Sequence, residues 1–292
     1  MTAGDLITSD GQLEWRSTLL GTGTAYGMTK LEGWLGDLPP FRGDDFDRPS
    51  RHGQFPGASE MSKRTVTWSG LIACTPASQL GSLRNGLQVL TAPAEVPVEE
   101  PLVIRDIGGV AWMCMARAKR RTVSIDIYTP LGYADYAIQW EATDSKLYSP
   151  ALHSLPTPLA TPPTTGLQFP LVFPLDFGAG PVGGNLTVVN AGSVATWPTF
   201  TIVGPVTGPV VTNHATGQQL LFNPTFTITA GQTLVVDTDQ RQVTLNGVAA
   251  NQLLFTRGWF PLLPGSTRID FTSAGAYSSS ALFTCSWRDA AA

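Results

Sequence analysis

The clearest pattern in the chain lies between Ala230 and Val248 (AGQTLVVDTDQRQVTLNGV), where apolar and polar positions alternate. Leu234 and Val236 fall on one face of a first arm, and Val243 and Leu245 on one face of a second. Successive side chains of a strand point to opposite faces, so this period of two marks a half-buried pair of strands. The intervening Asp237–Arg241 is polar and suited to a turn, and Asn246-Gly247 supplies the next tight turn. A hairpin is predicted here.

Similar short runs, each closed by Gly, Pro or Asn, fill the rest of the second half. Gly166–Gly178 is aromatic and apolar, and Asn185–Pro205 reads as two strands around Asn190-Ala-Gly192. Further runs cover Gln219–Phe222, Thr225–Thr229, Asn251–Phe255, Gly258–Gly265, Arg268–Ser273 and Ala281–Asp289. About ten short strands without a helical period predict a β-sandwich or jelly roll. In the first half, Lys63–Cys74 alternates, with Val66, Trp68 and Gly70 on one face and Thr65, Thr67 and Ser69 on the other. One helix is predicted from Thr75-Pro76, with Thr as cap and Pro at the first helical position. Leu80, Leu83, Leu87 and Leu90 form its apolar stripe, and it stops before Pro93. Leu102–Ala118 reads as a strand pair turning at Gly108-Gly109, and Tyr133–Pro150 as a strand with a polar corner. Pro39–Glu60 reads as a solvated polar loop. Its Asp44, Asp45 and Asp47 lack the Gly and distal Glu of a calcium loop.

Charge sharpens the division. Of the 40 charged residues, 31 precede residue 151. A Pro-, Thr- and Ser-rich stretch separates the two halves and is expected to be a semi-rigid connector. The expected organisation is residues 1–150 as a β-sandwich or barrel-like domain with one helix, 151–165 as connector and 166–292 as a β-sandwich. The fold class is mainly β. Net charge is −4, so no basic field favours nucleic acid or anionic lipid. Cys74, Cys114 and Cys285 are odd in number and far apart, which suits buried thiols better than disulfides or zinc. The first residues carry no signal-peptide pattern and no run is long and apolar enough for a membrane helix, so a soluble protein made in a cytoplasm is expected.

Chemistry-bearing patterns are missing from the sequence. His52, His153 and His214 each stand in loop-like stretches without a second ligand at a useful spacing, and Gly21–Gly27 fits neither dinucleotide- nor phosphate-binding patterns. There is no nucleophile elbow. The expectation is a non-enzymatic protein without catalytic residues, cofactor or metal. Arg117, Lys119, Arg120 and Arg121 form a basic cluster that reads either as a charged strand edge discouraging stray pairing or as a contact for an acidic partner subunit. The alternative function is carbohydrate binding. Its aromatic platform would come from Trp197, Trp259, Tyr277 and Trp287, with His214 and Asn223 as polar partners, although aromatics at strand positions usually pack cores.

Four stretches together resemble the distal tail (Dit-like) proteins of long, non-contractile-tailed phages, often labelled minor tail proteins in phages of actinobacteria. They are His52-Gly53 through KRTVTWSGLIAC and the leucine-striped helix; Ile138–Pro150; Phe169–Gly178; and the succession from Asn190-Ala-Gly192 through Trp197-Pro198, Ile202–Pro205, Asn213–Gly217, Ala230–Gly247 and Trp259–Gly265 to Ile269-Asp-Phe and Trp287. The resemblance implies a first domain that assembles into a homohexameric ring and an outer, galectin-like second domain. It implies a virion protein at the distal tail or baseplate, assembled in the host cytoplasm. Its partners would be the tail tube, the tail-tip hub (tail-associated) protein and receptor-binding or other minor tail proteins.

Overall fold

Leu234 pairs with Leu245 and Val236 with Val243, so the alternating stripe of the strongest sequence signal is the core-facing side of an antiparallel hairpin, with Leu234, Val236 and Val243 buried and Leu245 partly so. Asp237 Oδ1 accepts the backbone N–H groups of Asp239 and Gln240 across the first turn. The second turn uses Asn246 and Gly247, both at positive φ (49° and 80°), the backbone that a two-residue hairpin turn demands. A computed structural model describes residues 2–162 and 182–292. The chain divides into one unit of residues 1–150 with 291–292, and a second of residues 151–290.

In the first unit the strands follow the order Thr18–Gly21, Gln12–Trp15, Glu100–Arg105, Ala111–Val123, Tyr133–Ala142, Arg64–Ala73 and Tyr26–Glu32, every pairing antiparallel. The long Ala111–Val123 strand links the two ends of this order. Residues 111–116 pair with Glu100–Arg105, and residues 117–123 pair with Tyr133–Ala142. Arg64, Val66, Trp68, Gly70 and Ile72 face inward, as alternation requires. Trp15 meets Trp140 edge-on with centroids 5.7 Å apart. Trp68 Nε1 donates to the Tyr136 hydroxyl (3.0 Å), which donates to the Tyr26 carbonyl (3.0 Å), so both polar aromatics are satisfied inside. Gly70 leaves the room for this: a Cβ there would stand 2.6 Å from the Tyr136 ring.

The helix spans Leu80–Leu90 and starts later than the sequence suggests. Pro76 is extended (φ −75°, ψ 157°) and is followed by a 3₁₀ turn, Ala77–Gln79, with no side-chain cap. Local propensity is overridden there because the leucine stripe, not a cap, anchors the helix. Leu80, Leu87 and Leu90 are buried and Leu83 packs against the same core.

The second unit is a two-layer β-sandwich among its described residues. One layer runs His153–Pro158, Leu282–Trp287, Thr199–Val203, Thr233–Asp237, Gln242–Leu245 and Val248–Ala249. The other runs Asn185–Asn190, Gly265–Ser273, Pro209–Asn213, Gln219–Phe222 and Leu254–Arg257. Phe283 of the first layer stacks on Phe271 of the second (5.1 Å), and Phe200 packs beside Phe283 (5.4 Å) and Phe260 (5.6 Å).

Three expectations are corrected. His153–Pro158, inside the expected connector 151–165, is a strand of the sandwich paired with Leu282–Trp287. Gly258–Gly265, expected as a strand, is irregular up to the start of Gly265–Ser273, apart from a bridge between Thr196 and Leu262. Pro261 and Pro264 lack the N–H a ladder needs, and the segment instead drops Phe260 and Leu262 into the core. Pro39–Glu60 is an arm rather than a plain loop: Phe41–Arg42 pairs with Glu60–Met61, and Phe46–Asp47 with Gln54–Phe55. The expected strand at 166–178 lies outside the described residues.

Candidate functional site

Alternation and one irregularity determine how the basic cluster is displayed. Ala118 pairs with Trp140 and Arg120 with Gln139, so Lys119 is the extra residue of a β-bulge. The bulge re-aims the side chains that follow. Arg121 turns to the end of the helix, where Nη1 donates to the Leu87 and Gln88 carbonyls (3.3 Å each) and to Thr91 Oγ1. A guanidinium there meets the carbonyls left without helical partners and the negative end of the helix dipole. Arg117 Nη2 donates to Glu141 Oε1 (3.2 Å), and Lys63 Nζ to Glu141 Oε2 (2.9 Å). These donors hold the Glu141 carboxyl below its ordinary range. Lys119 and Arg120 remain exposed.

The four basic residues therefore share one strand but divide their roles. Two are engaged in the fold and two face solvent. The ladder with Glu100–Arg105 ends at Ala116, so the side of residues 117–121 away from Tyr133–Ala142 borders the chain that leaves the helix. Two adjoining hollows of about 330 and 290 Å³ lie along this border. They share Ala92, Pro93, Ala118 and Lys119, and the cations Arg16, Arg117, Arg120 and Arg121 also line them. The floor is apolar and the rim cationic.

Aromatic side chains bring a second feature, which sequence reasoning missed. On the arm, Phe41, Phe46 and Phe55 are exposed, Phe46 by 66%. The arm is held by two ladders of two residue pairs each, by Arg42–Glu60 (2.8 Å), by Gln54 Nε2 donating to Asp47 Oδ1 (2.9 Å), and by Arg48 lying 4.8 Å over the Phe55 ring. Ladders this short are marginal in water. The available signal was three phenylalanines in an otherwise polar stretch. A further apolar patch, Ile125, Ile127, Tyr128 and Leu131, stands exposed in the segment before Tyr133–Ala142.

The aromatic platform does not assemble. Trp287 is buried, 8% exposed, with Nε1 donating to the Val189 carbonyl (3.0 Å) and its face stacked on His153 (5.4 Å). Trp197 and Trp259 are half-buried, and Trp259 packs on the core. Tyr277 is exposed by 39%. His214 is exposed, but its Nδ1 is 2.8 Å from Asp270 Oδ2, and its backbone N–H bonds Arg268 on the Gly265–Ser273 strand, in the layer opposite Trp287. Asn223 is spent on its own turn, accepting from the Thr225 N–H (3.0 Å) and hydroxyl (2.9 Å). The burial of Trp287 has a simple cause, since a strand aromatic on the inward face fills the sandwich.

Among the described residues no group of three or more His, Cys, Asp or Glu is placed to hold a metal ion, and no helix is long and apolar enough to cross a membrane. The Cys114 thiol is buried and its pKa is pushed up to about 12, and burial raises that of Cys285 as well, which disfavours the reactive thiolate.

Comparison with known proteins adds to this geometry. Residues 191–289 match the family described as siphovirus-type tail component, C-terminal domain. Among solved structures, the chain is similar to SPP1 Dit (gp 19.1), described as a paradigm of the hub adsorption apparatus in phages infecting Gram-positive hosts. The TM-score is 0.67 at 12% identity, covering 96% of this chain and 98% of that one. Chains of the phage P2 baseplate in its activated conformation also match. With calcium the identity is 10% and the TM-score 0.47, covering 94% of this chain and 97% of that one. With strontium the values are 9% and 0.45, covering 94% and 96%. No curated protein matches. The chain is therefore similar in fold to SPP1 Dit over 96% of its length, and its residues 191–289 match the siphovirus-type tail component, C-terminal domain.

Proposed function

We propose that the chain is a structural, non-enzymatic virion protein of a siphophage, closing into a six-copy ring at the distal tail that joins the tail tube to the tail tip and anchors tip and receptor-binding proteins. The observation that carries this reading is the tail-component match in the second unit together with a Dit-like fold along nearly the whole chain. The surface is consistent with it. A ring needs two different patches per copy that fit each other, and the first unit offers exposed aromatics on an arm and an apolar, cation-rimmed groove. The alternative, carbohydrate binding, is less favoured because Trp287, one of its candidate aromatics, is buried.

The test is the mass of the purified full chain by light scattering, with negative-stain images of the same peak. Six copies around a central hole are expected. A single-chain mass that persists on concentration overturns the ring.

A further inference from the structure

The two features of the first unit have complementary chemistry. On the arm, Asp44, Asp45 and Asp47 flank Phe46, and all four are exposed. Asp45 accepts the Gly57 N–H (3.0 Å) and Asp47 the Gln54 amide, while Asp44 has no partner among the described residues. The basic residues of the arm are placed differently: Arg42 is paired with Glu60 at the base, Arg48 is laid over Phe55, and Arg51 is at the tip. Phe46 and its acids thus form an apolar-acidic knob in one short segment of the arm, Asp44–Asp47. The groove is its inverse. Ala92, Pro93, Pro97, Val98 and Ala118 supply an apolar surface, and Lys119 and Arg120 leave their charges exposed at its edge. Arg16 there is already paired with Glu100, Arg117 with Glu141 and Arg121 with the helix end, which leaves Lys119 and Arg120 to meet an incoming anion.

We propose that the arm of one copy docks its Asp44–Asp47 segment into the Ala92–Val98/Ala118–Arg121 groove of a second copy of this chain. The phenylalanine covers the apolar floor and the aspartates face Lys119 and Arg120. This contact rests on the self-assembly reading above and names the segments that meet. Knob and groove are different surfaces, so the contact is heterologous and propagates head to tail, the geometry that closes into rings. Charge opposition adds partner choice and register to the apolar contact. It also gives the arm, whose own ladders are only two residue pairs each, a surface to order against.

The experiment is charge reversal in the full chain, read by light scattering, with circular dichroism and thermal unfolding confirming an unchanged fold. Asp44→Lys with Asp47→Lys alters the knob, and Lys119→Glu with Arg120→Glu alters the groove. Each pair alone is expected to reduce the assembled mass to a single chain. Assembly is expected to return when all four substitutions share one chain, or when the two variants are mixed in equal amounts and alternate around the ring. A wild type that is itself monomeric overturns the self-assembly reading. A wild type that assembles while both single-sided variants keep its mass overturns the docking contact, as does loss of assembly that neither the fourfold variant nor the mixture restores.

Discussion

At the scale of single residues the most consequential side chain is Arg64. It is fully buried at the start of an inward-facing strand. Nη1 donates to the carbonyls of Gly33 (2.9 Å), Trp34 (3.1 Å) and Asp37 (3.2 Å), and Nε to that of Ser145 (2.8 Å). Burial pulls its pKa down from the ordinary arginine value, yet a guanidinium stays charged under all ordinary conditions. The side chain joins the turn after Tyr26–Glu32 to the corner after Tyr133–Ala142. Replacing it by methionine leaves four carbonyls without this donor, and the expected loss is on the order of 3 kcal/mol. Arg64→Lys is expected to recover little, because a single ammonium cannot span the carbonyls that the planar fork reaches. Urea denaturation followed by tryptophan fluorescence measures both, and a methionine variant as stable as the wild type refutes the assignment. No pattern in the sequence singles out Arg64. Its burial depends on segments about 30 and 80 residues away.

At the scale of elements, strand alternation and the leucine stripe carried over directly into structure, whereas boundaries and caps did not. The helix has no side-chain cap at its start, and its other end is closed from outside by Arg121. Arg121→Ala is therefore expected to lower the stability of the first unit by about 1 kcal/mol and to raise hydrogen exchange at the last turn of the helix. Exchange unchanged at Leu87–Thr91 would show that the carbonyl contacts are incidental. The arm teaches the opposite lesson. Its sequence is polar, with turn-forming residues throughout, and nothing local separates a solvated loop from a hairpin held by two-pair ladders. The distinction lies in cross-strand partners such as Arg42 and Glu60, which are 18 positions apart. The basic cluster was legible as a charged stretch on a strand. The bulge at Lys119, which divides its members between fold and surface, was not.

At the scale of the whole molecule, each unit has its own core, one built around Trp15, Trp68 and Trp140 and the other around Phe200, Phe271 and Phe283. Truncating either core is expected to act locally. Trp68→Ala is predicted to lower one unfolding transition and Phe283→Ala the other, each by about 3–5 kcal/mol, resolved by calorimetry. A single transition that both substitutions lower equally would mean that the two cores unfold as one. The Dit-like reading also belongs at this scale, because its sequence basis was an ordered succession of modest signals with no decisive motif among them. Trp197, Trp259 and Trp287 show the limit of reasoning from residue type. Each could have faced solvent or core, and only the sandwich showed that Trp287 lies under His153 with its indole nitrogen bonded to Val189.

What the sequence by itself determined is what depends on neighbours in the chain. It specified the period-two strands, the single leucine-striped helix, the Asn246-Gly247 turn and the mainly β class, since side-chain direction follows local backbone geometry. What only the tertiary structure decided is which strands pair and what each side chain meets. Asn185–Asn190 and Thr199–Val203 are successive in sequence yet lie in opposite layers, and His153–Pro158 crosses more than a hundred residues to pair with Leu282–Trp287. The physical reason is that pairing and burial are set by long-range packing free energy, which no short window of sequence contains.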